Sequence, residues 1–185
     1  MELNKYKIIA ATTSPRRKRL LKRLFKNVRF QAPKYKEYKF KYFPIPILLC
    51  LIHAYFKARS IRNKQSIVLG FDTMVFRGMK LYNKPNNKLE AFQMIEDLNN
   101  KKHKVVTTIA LKYQYKIKLL YSVSIVKFKK LTKQQIHTYI KTKTWQGKAG
   151  GYGIQDKGKY LIEYYKGDYY NIVGLPLYVL KAIKI

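Results

Sequence analysis

The stretch Ile67-Val68-Leu69-Gly70-Phe71-Asp72-Thr73-Met74-Val75-Phe76 decides how the chain is read. Its β-branched and large apolar residues make a strand, interrupted by Gly70 and Asp72 and closed by a turn at Arg77-Gly78. Asp72 is the informative residue. A carboxylate inside so apolar a strand loses its hydration and has to be matched by a metal, a cation or hydrogen bonds. The plain alternative is a strand-end Asp bonded to nearby backbone; a functional carboxylate is the favoured reading. Lys84, in Asn83-Lys84-Pro85, lies just past the turn, where a returning lysine could contact phosphate.

Toward the N-terminus, Ile8 to Ala11 reads as a short buried strand, and Ser14-Pro15 opens a helix as N-cap and first helical residue. Leu20, Leu21, Leu24 and Phe25 give that helix its apolar stripe. A second helix is predicted over Ile47 to Arg59. Toward the C-terminus, Asn87 with Glu90 reads as a capping pair for a helix whose Ala91, Phe92, Ile95 and Leu98 face inward. Lys104 to Lys112 and Lys116 to Lys129 alternate as a hairpin with its turn near Gln114. Thr132 and Gln135 make a capping box, with Leu131 and Ile136 as its hydrophobic staple. Strands are predicted around Tyr160–Tyr164 and Tyr169–Val173, and Pro176 starts a terminal helix. Helices and strands mix along the chain, so the class is α/β with both hairpins and crossovers, and residues 1–185 are expected to form a single domain.

With 185 residues, 47% of them hydrophobic, the chain can bury a real core, which excludes a disordered polypeptide. A single cysteine, Cys50, excludes an internal disulfide framework and points to a reducing compartment. Met1 to Ala11 lacks the basic segment and apolar run of a signal peptide. The most apolar stretch, Phe43 to Phe56, holds Pro44, Pro46 and His53 and is too short to span a bilayer. A cytoplasmic protein without a membrane partner is expected. Forty Lys and Arg against nine Asp and Glu give a formal net charge of +31, which would suit a polyanionic partner. The lysines are scattered from end to end, however, and Lys, Asn, Ile and Tyr are plentiful together. The total charge therefore reads as compositional bias rather than as a binding patch.

Local chemistry is sharper. The first helix carries Arg16, Arg17 and Lys18 in its first turn and no acid, although a helix N-terminus already bears partial positive charge. That arrangement repels itself unless an anion fills the space, and phosphate among free N–H groups and guanidinium forks would do so. Of the nine acids, Glu2 is terminal, Glu90 caps a helix, and Glu96 and Asp97 lie near that helix's end. Glu37, Asp72, Asp156, Glu163 and Asp168 remain. The loop Lys148-Ala149-Gly150-Gly151-Tyr152-Gly153-Ile154-Gln155 is dense in glycine, which lets backbone N–H groups approach a phosphate or a base, or simply turns the chain into a strand. His53, His103 and His137 are far apart, lack metal-ligand spacing and are read as structural. No Walker A loop, nucleophile elbow, zinc pattern or dinucleotide fingerprint is present.

Taken in order, these segments resemble the Maf family of nucleoside-triphosphate pyrophosphatases. Ala10-Ala11-Thr12-Thr13-Ser14-Pro15-Arg16-Arg17 resembles its opening A-S-x-S-P-R-R, and Gly70-Phe71-Asp72-Thr73 its G-A-D-T. Asn83-Lys84-Pro85 with Glu90-Ala91 is similar to G-K-P and the following E-A, and Lys148 to Gln155 to K-A-G-A-Y-G-I-Q. Gly167-Asp168-Tyr169-Tyr170-Asn171-Ile172-Val173-Gly174-Leu175-Pro176 matches the closing motif almost letter for letter. Each motif alone is weak; together, from Ile8 to about Leu180, they are specific.

The resemblance implies a mixed sheet with flanking helices, two lobes around a central cleft and likeness to the inosine-triphosphate pyrophosphatases. It implies hydrolysis of a triphosphate between the α and β phosphates, with a divalent cation (Mg²⁺ or Mn²⁺) and often a homodimer. Asp72 falls on the proton acceptor; Ser14, Arg16, Arg17, Lys57 and Lys84 fall at phosphate-binding positions; Asp72 and Glu37 are the implied metal ligands. Arg16, Thr73 and Gln155 follow the branch acting on dTTP and UTP, not the one acting on 7-methyl-GTP, and modified pyrimidine triphosphates are a wider substrate class. An amide such as Gln155 can pair with the edge of uracil or thymine. Where the family has two adjacent acids, this chain reads Lys36-Glu37. Glu37 replaces the first acid only through a one-residue slip, which on a strand turns the side chain over. Phe71 and Gly147 stand where Ala and Asp are usual, and Asn99-Asn100-Lys101-Lys102 lacks the usual S-G turn. The alternative is a basic nucleic-acid-binding protein on the same fold with weakened catalysis, suited by the charge and 17 tyrosines. No RNA-recognition motif is visible and the charge is not clustered, so nucleic acid is not the expected partner.

Overall fold

The computed structural model describes residues 2–182. Strand β1 (Ile8–Ala11) leads through helix α1 (Pro15–Leu24) to β2 (Val28–Gln31), and helix α2 (Pro46–Arg59) carries the chain back to the long strand β3 (Ile67–Arg77). These two crossovers make β2, β1 and β3 parallel. A tight turn then adds β4 (Lys80–Tyr82) antiparallel to β3, and helix α3 (Lys88–Leu98) leads into the hairpin of β5 (Lys102–Tyr113) and β6 (Lys116–Phe128). Helix α4 (Lys133–Lys141), strand β7 (Ile162–Lys166) and two short helices, α5 (Tyr169–Val173) and α6 (Leu177–Lys181), complete the order. The result is a seven-stranded mixed sheet, β2-β1-β3-β5-β6-β7 with β4 paired to β3. The α/β class with hairpins and crossovers is borne out. Among the described residues no helix is long and apolar enough to cross a membrane.

Side chains alternate across β3 with period two, and each face has its own partner. Ile67, Leu69 and Phe71 join Leu21 of α1 and Phe25 just past its end, Ile109 and Leu111 of β5, and Leu175 and Leu180 in one core. Val68 packs on the other face against Ala54 and Ala58 of α2. Further along the sheet, Val75, Val105 and Val126 pack with Ala91, Ile95 and Leu98 of α3 and Ile136 and Ile140 of α4. The cleft opens between the α1 side and this second core.

Gly70 lies on the α2 face, and the helix presses onto it. A β-carbon there would sit 2.3 Å from the Ala54 carbonyl oxygen and 2.6 Å from the Ala58 nitrogen. Both are helix backbone, so neither can swing aside. The glycine that seemed to interrupt the strand is what lets α2 approach it.

Most of the predicted elements appear. Ser14 caps α1 through its hydroxyl, Thr132 and Gln135 form the full capping box, and Gln114 adopts φ 52 in the hairpin turn. Asn87 caps α3, but the Glu90 carboxylate accepts from Asn86 rather than from Asn87. Two readings need correction. Tyr169–Val173 is a helix, not a strand: the Asp168 side chain accepts from the Tyr170 N–H at its start, and Gly174 at φ 108 ends it. Of the strand read at Tyr160–Tyr164, a 3-10 helix spans Lys157–Leu161 and β7 begins only at Ile162.

Gly70→Ala is expected to cost at least about 3 kcal/mol, the upper range of overpacking penalties, because two backbones would have to part. A urea unfolding series reads the cost. A loss under about 1 kcal/mol would mean that α2 can slide along the sheet.

Candidate functional site

Strand alternation turns Asp72 toward α2, on the same face as Val68 and Gly70. Lys57 and His53, one helical turn apart, meet it there. The Lys57 Nζ lies 2.5 Å from Asp72 Oδ1 and 2.7 Å from Glu37 Oε1, so one ammonium bridges two carboxylates. His53 Nδ1 lies 3.6 Å from Asp72 Oδ2, beyond hydrogen-bond reach. Asp72, His53 and Lys57 are buried, and Glu37 stands at the rim. Burial pushes the Asp72 carboxyl up, but the attraction and hydrogen bond of Lys57, with His53 beside it, outweigh burial and hold it well below the usual carboxylate range. Burial pushes Lys57 down, and its two carboxylates more than reverse that.

These residues form one wall of a cleft of about 730 Å³. Ser14, Arg16, Arg17, Glu37, Lys57, Asp72, Thr73, Lys84 and Gln155, the positions singled out from the sequence, all line it. The structure gives Arg17 a different place from the one expected of a free phosphate ligand. Its Nε donates to the Gly174 carbonyl at 2.8 Å, and its two terminal nitrogens donate to the Thr12 and Thr73 hydroxyls, each at 3.1 Å. The guanidinium also lies 4.9 Å from the centre of the Phe71 ring. Burial pushes it down to about 10, with Asp72 opposing, so it remains charged at neutral pH. The chain of hydroxyls has one consistent direction. Thr107 donates to the Asn171 carbonyl at 2.8 Å, so Thr73 donates to Thr107 at 3.0 Å and accepts from Arg17. Arg17 is a strut joining the opening loop, β3 and the closing segment, and Arg16 beside it faces the cleft half-buried.

The glycine loop is tied into the fold on both sides of the cleft residue Gln155. Gly150 donates to the Asn83 carbonyl at 3.2 Å, which ties the loop to the segment bearing Lys84. Asp156 Oδ2 accepts from the Gln155 amide nitrogen at 2.9 Å and pairs with Lys148 at 3.0 Å, while Lys148 also donates to the Thr144 carbonyl. Gln155 thus has its amide nitrogen engaged, and among the described residues no donor reaches its amide oxygen.

A family model described as Maf-like protein matches residues 7–183. A protein of Thermosipho melanesiensis named dTTP/UTP pyrophosphatase is 41% identical over 172 residues, 92% of this chain and 92% of that one. One of Pyrococcus furiosus with the same name is 36% identical over 94% of this chain and 92% of its own. The chain belongs to the Maf family. The solved structure of the Staphylococcus aureus Ham1 protein aligns with 65% of this chain and 71% of its own at TM-score 0.45 and 11% identity.

Within this Maf-family chain, the Lys36-Glu37 departure resolves simply. β2 ends at Gln31 and the segment beyond it is irregular, so no strand register constrains Glu37. Glu37 reaches Lys57 directly, while Lys36 is exposed and does not line the cleft. His53 is the residue the sequence reading missed, having been set aside with His103 and His137. His103 is structural: its Nε2 meets the Tyr152 hydroxyl at 2.7 Å, and burial pushes it down to about 3. His137 stacks on Phe92 at the surface. The missed signal was the four-residue spacing from His53 to Lys57, which puts both on the face opposite Asp72. Glu37, His53 and Asp72 together offer ligand atoms all within 4.8 Å of one another, a set that fits a divalent cation.

Removing Lys57 should leave two carboxylates without their cation. Lys57→Met is expected to destabilise by about 3 kcal/mol at pH 7, the cost of breaking a buried pair. The depressed Asp72 carboxyl contributes stability above the ordinary Asp pKa of about 3.9 and loses it as pH falls through its folded value. The gap between the two proteins should therefore narrow toward pH 3, as denaturant midpoints across pH would show. A gap unchanged with pH would make Lys57 a packing residue only.

Proposed function

We propose that this chain is a nucleoside-triphosphate pyrophosphatase that hydrolyses dTTP and UTP to the monophosphate and pyrophosphate. The observation that carries the reading is the buried Asp72, held ionised by Lys57, at the wall of a cleft that Arg16 and Lys84 also line. Curated relatives bearing the name dTTP/UTP pyrophosphatase support it. A triphosphate entering the cleft meets the α1 N-terminus with Ser14 and Arg16 on one side and Lys84 on the other. Asp72 orients a water and accepts its proton as the water oxygen bonds to the α-phosphorus; the bond from that phosphorus to its β-side bridging oxygen breaks, and pyrophosphate leaves. Arg16 and Lys84 neutralise charge that grows on the leaving group. A divalent cation held by Asp72 and Glu37 would supply further neutralisation of the phosphates.

Selection of the base follows from the orientation of Gln155. With its amide nitrogen held by Asp156, its oxygen is left to accept a hydrogen bond. Uracil and thymine present an N3–H to such an acceptor and cytosine does not. Pyrimidines modified away from that edge fit the same acceptor, which admits modified pyrimidine triphosphates as substrates. Thr73 acts through Arg17, since its hydroxyl is engaged on both sides.

Pyrophosphate release from dTTP and UTP, measured against CTP, ATP and 7-methyl-GTP with Mg²⁺ or Mn²⁺, is the direct test. Asp72→Asn should lower turnover by at least about 100-fold, the scale of proton-transfer catalysis. No turnover of any triphosphate by the folded protein, with salt-sensitive binding of oligonucleotides, would put the nucleic-acid reading first. Separately, Asp156→Ala should free the Gln155 amide to rotate and reduce the preference for UTP over CTP in kcat/KM by about tenfold, the worth of one hydrogen bond. An unchanged preference would leave Asp156 without a role in base selection.

A further inference from the structure

His53 has no use in the fold beyond its approach to Asp72. Its side chain is 3% exposed, and among the described residues neither Nδ1 nor Nε2 has a hydrogen-bond partner. Two unpartnered polar atoms in a buried helix face cost free energy that a leucine of similar size would avoid. The ring touches Tyr35 edge-on at 5.7 Å between centres, a contact any apolar ring could make. The imidazole lines the cleft, and its Nδ1 lies 3.6 Å from the Asp72 oxygen that Lys57 leaves free.

We propose that His53 is a nitrogen ligand, with Asp72 and Glu37, of a cation site that selects a transition ion such as Mn²⁺ or Co²⁺ over Mg²⁺. This rests on the reading of Asp72 as a metal ligand. The three side chains offer ligand atoms within 4.8 Å of one another. The 3.6 Å between Nδ1 and Oδ2 is less than twice the roughly 2.1 Å at which nitrogen and oxygen ligands hold such ions, so one ion can touch both. Lys57 occupies Asp72 Oδ1 and Glu37 Oε1, which leaves one oxygen of each carboxylate for the ion. Mg²⁺ takes oxygen ligands and keeps its waters, whereas a first-row transition ion accepts an imidazole nitrogen among oxygen ligands more readily, Co²⁺ more so than Mn²⁺. A site made only of Asp72 and Glu37 would have no such preference built into its donors; the histidine supplies it.

The test uses full-length protein stripped of metal and titrated calorimetrically with Mn²⁺ and Mg²⁺, no nucleotide present. Mn²⁺ should bind at least about tenfold more tightly than Mg²⁺. His53→Leu should weaken Mn²⁺ by at least about tenfold, the scale that even outer-shell losses reach, and Mg²⁺ by less than about twofold. Pulsed electron paramagnetic resonance of the Mn²⁺-loaded wild type should show coupling to a ¹⁴N nucleus, lost in His53→Leu and in His53→Gln. That spectrum needs no variant to fold. Bound Mn²⁺ without nitrogen coupling, or equal weakening of both ions by His53→Leu, would overturn the assignment of His53 while leaving the carboxylate site. Mn²⁺ binding unchanged in Asp72→Asn would instead overturn the metal site itself, and with it this proposal.

Discussion

The ion pair between Asp72 and Lys57 is the constraint around which the rest of the molecule is arranged. Placing an ionised carboxylate on a strand within the sheet is tolerable only if a cation is brought to it and held. The strand's alternation fixes which face the carboxylate takes, and Gly70, two residues earlier on that face, admits the helix that carries the cation. Ala54 and Ala58 keep that helix face thin. Small residues on the helix, a glycine in the strand and a buried charge pair are thus one device. The separate cost of desolvating each ion is offset only while the helix stays close, which makes close packing and the ionised state of Asp72 mutually dependent.

Arg17 is the corresponding strut on the opposite face of β3. Thr73 follows Asp72 and so points away from α2, where Arg17 takes its hydroxyl together with the Gly174 carbonyl. Adjacent residues of one strand therefore anchor different halves of the cleft. The closing segment is fixed by the same logic, since the Asn171 amide donates to the Val105 carbonyl and the Ser124 hydroxyl while its own carbonyl receives Thr107. Two consecutive arginines at the start of α1 end up with different tasks: Arg17 is consumed in this network, and Arg16 is left to the cleft.

How much of this was legible in the sequence depended on whether a local signal existed. Asp72 stood out because a charge in an apolar strand is anomalous on its face, and the order of motifs gave the family and the cleft residues. Tyr169–Val173 misled because tyrosines, isoleucine and valine favour strands, whereas Asp168 and Gly174 at its ends, a cap and a stop, decided for a helix. Glu37 was judged against a strand register that does not exist there. His53 was invisible to any search for spaced ligands, because its companions come from a loop and a strand, and only the helical phase shared with Lys57 links them. Asp156 was left over by elimination without a task, since nothing local says that its neighbour's amide needs a fixed orientation.

The excess of lysine also looks different once the acids are located. Asp97 alone gathers Lys80 at 2.5 Å, Lys101 at 3.3 Å and Arg77 at 3.5 Å, and accepts from Tyr82 at 2.7 Å. A chain with few acids here shares one carboxylate among several cations. The cleft is different in kind, because Glu37 and Asp72 line it among the cations. A groove evolved to hold a nucleic-acid backbone has no use for carboxylates where the phosphates would lie, since each repels the ligand it should attract. Carboxylates among cations suit a ligand that arrives with, or meets, a divalent ion and whose charge must be redistributed during a reaction. The acids, more than the lysines, argue for chemistry in this cleft rather than for adhesion.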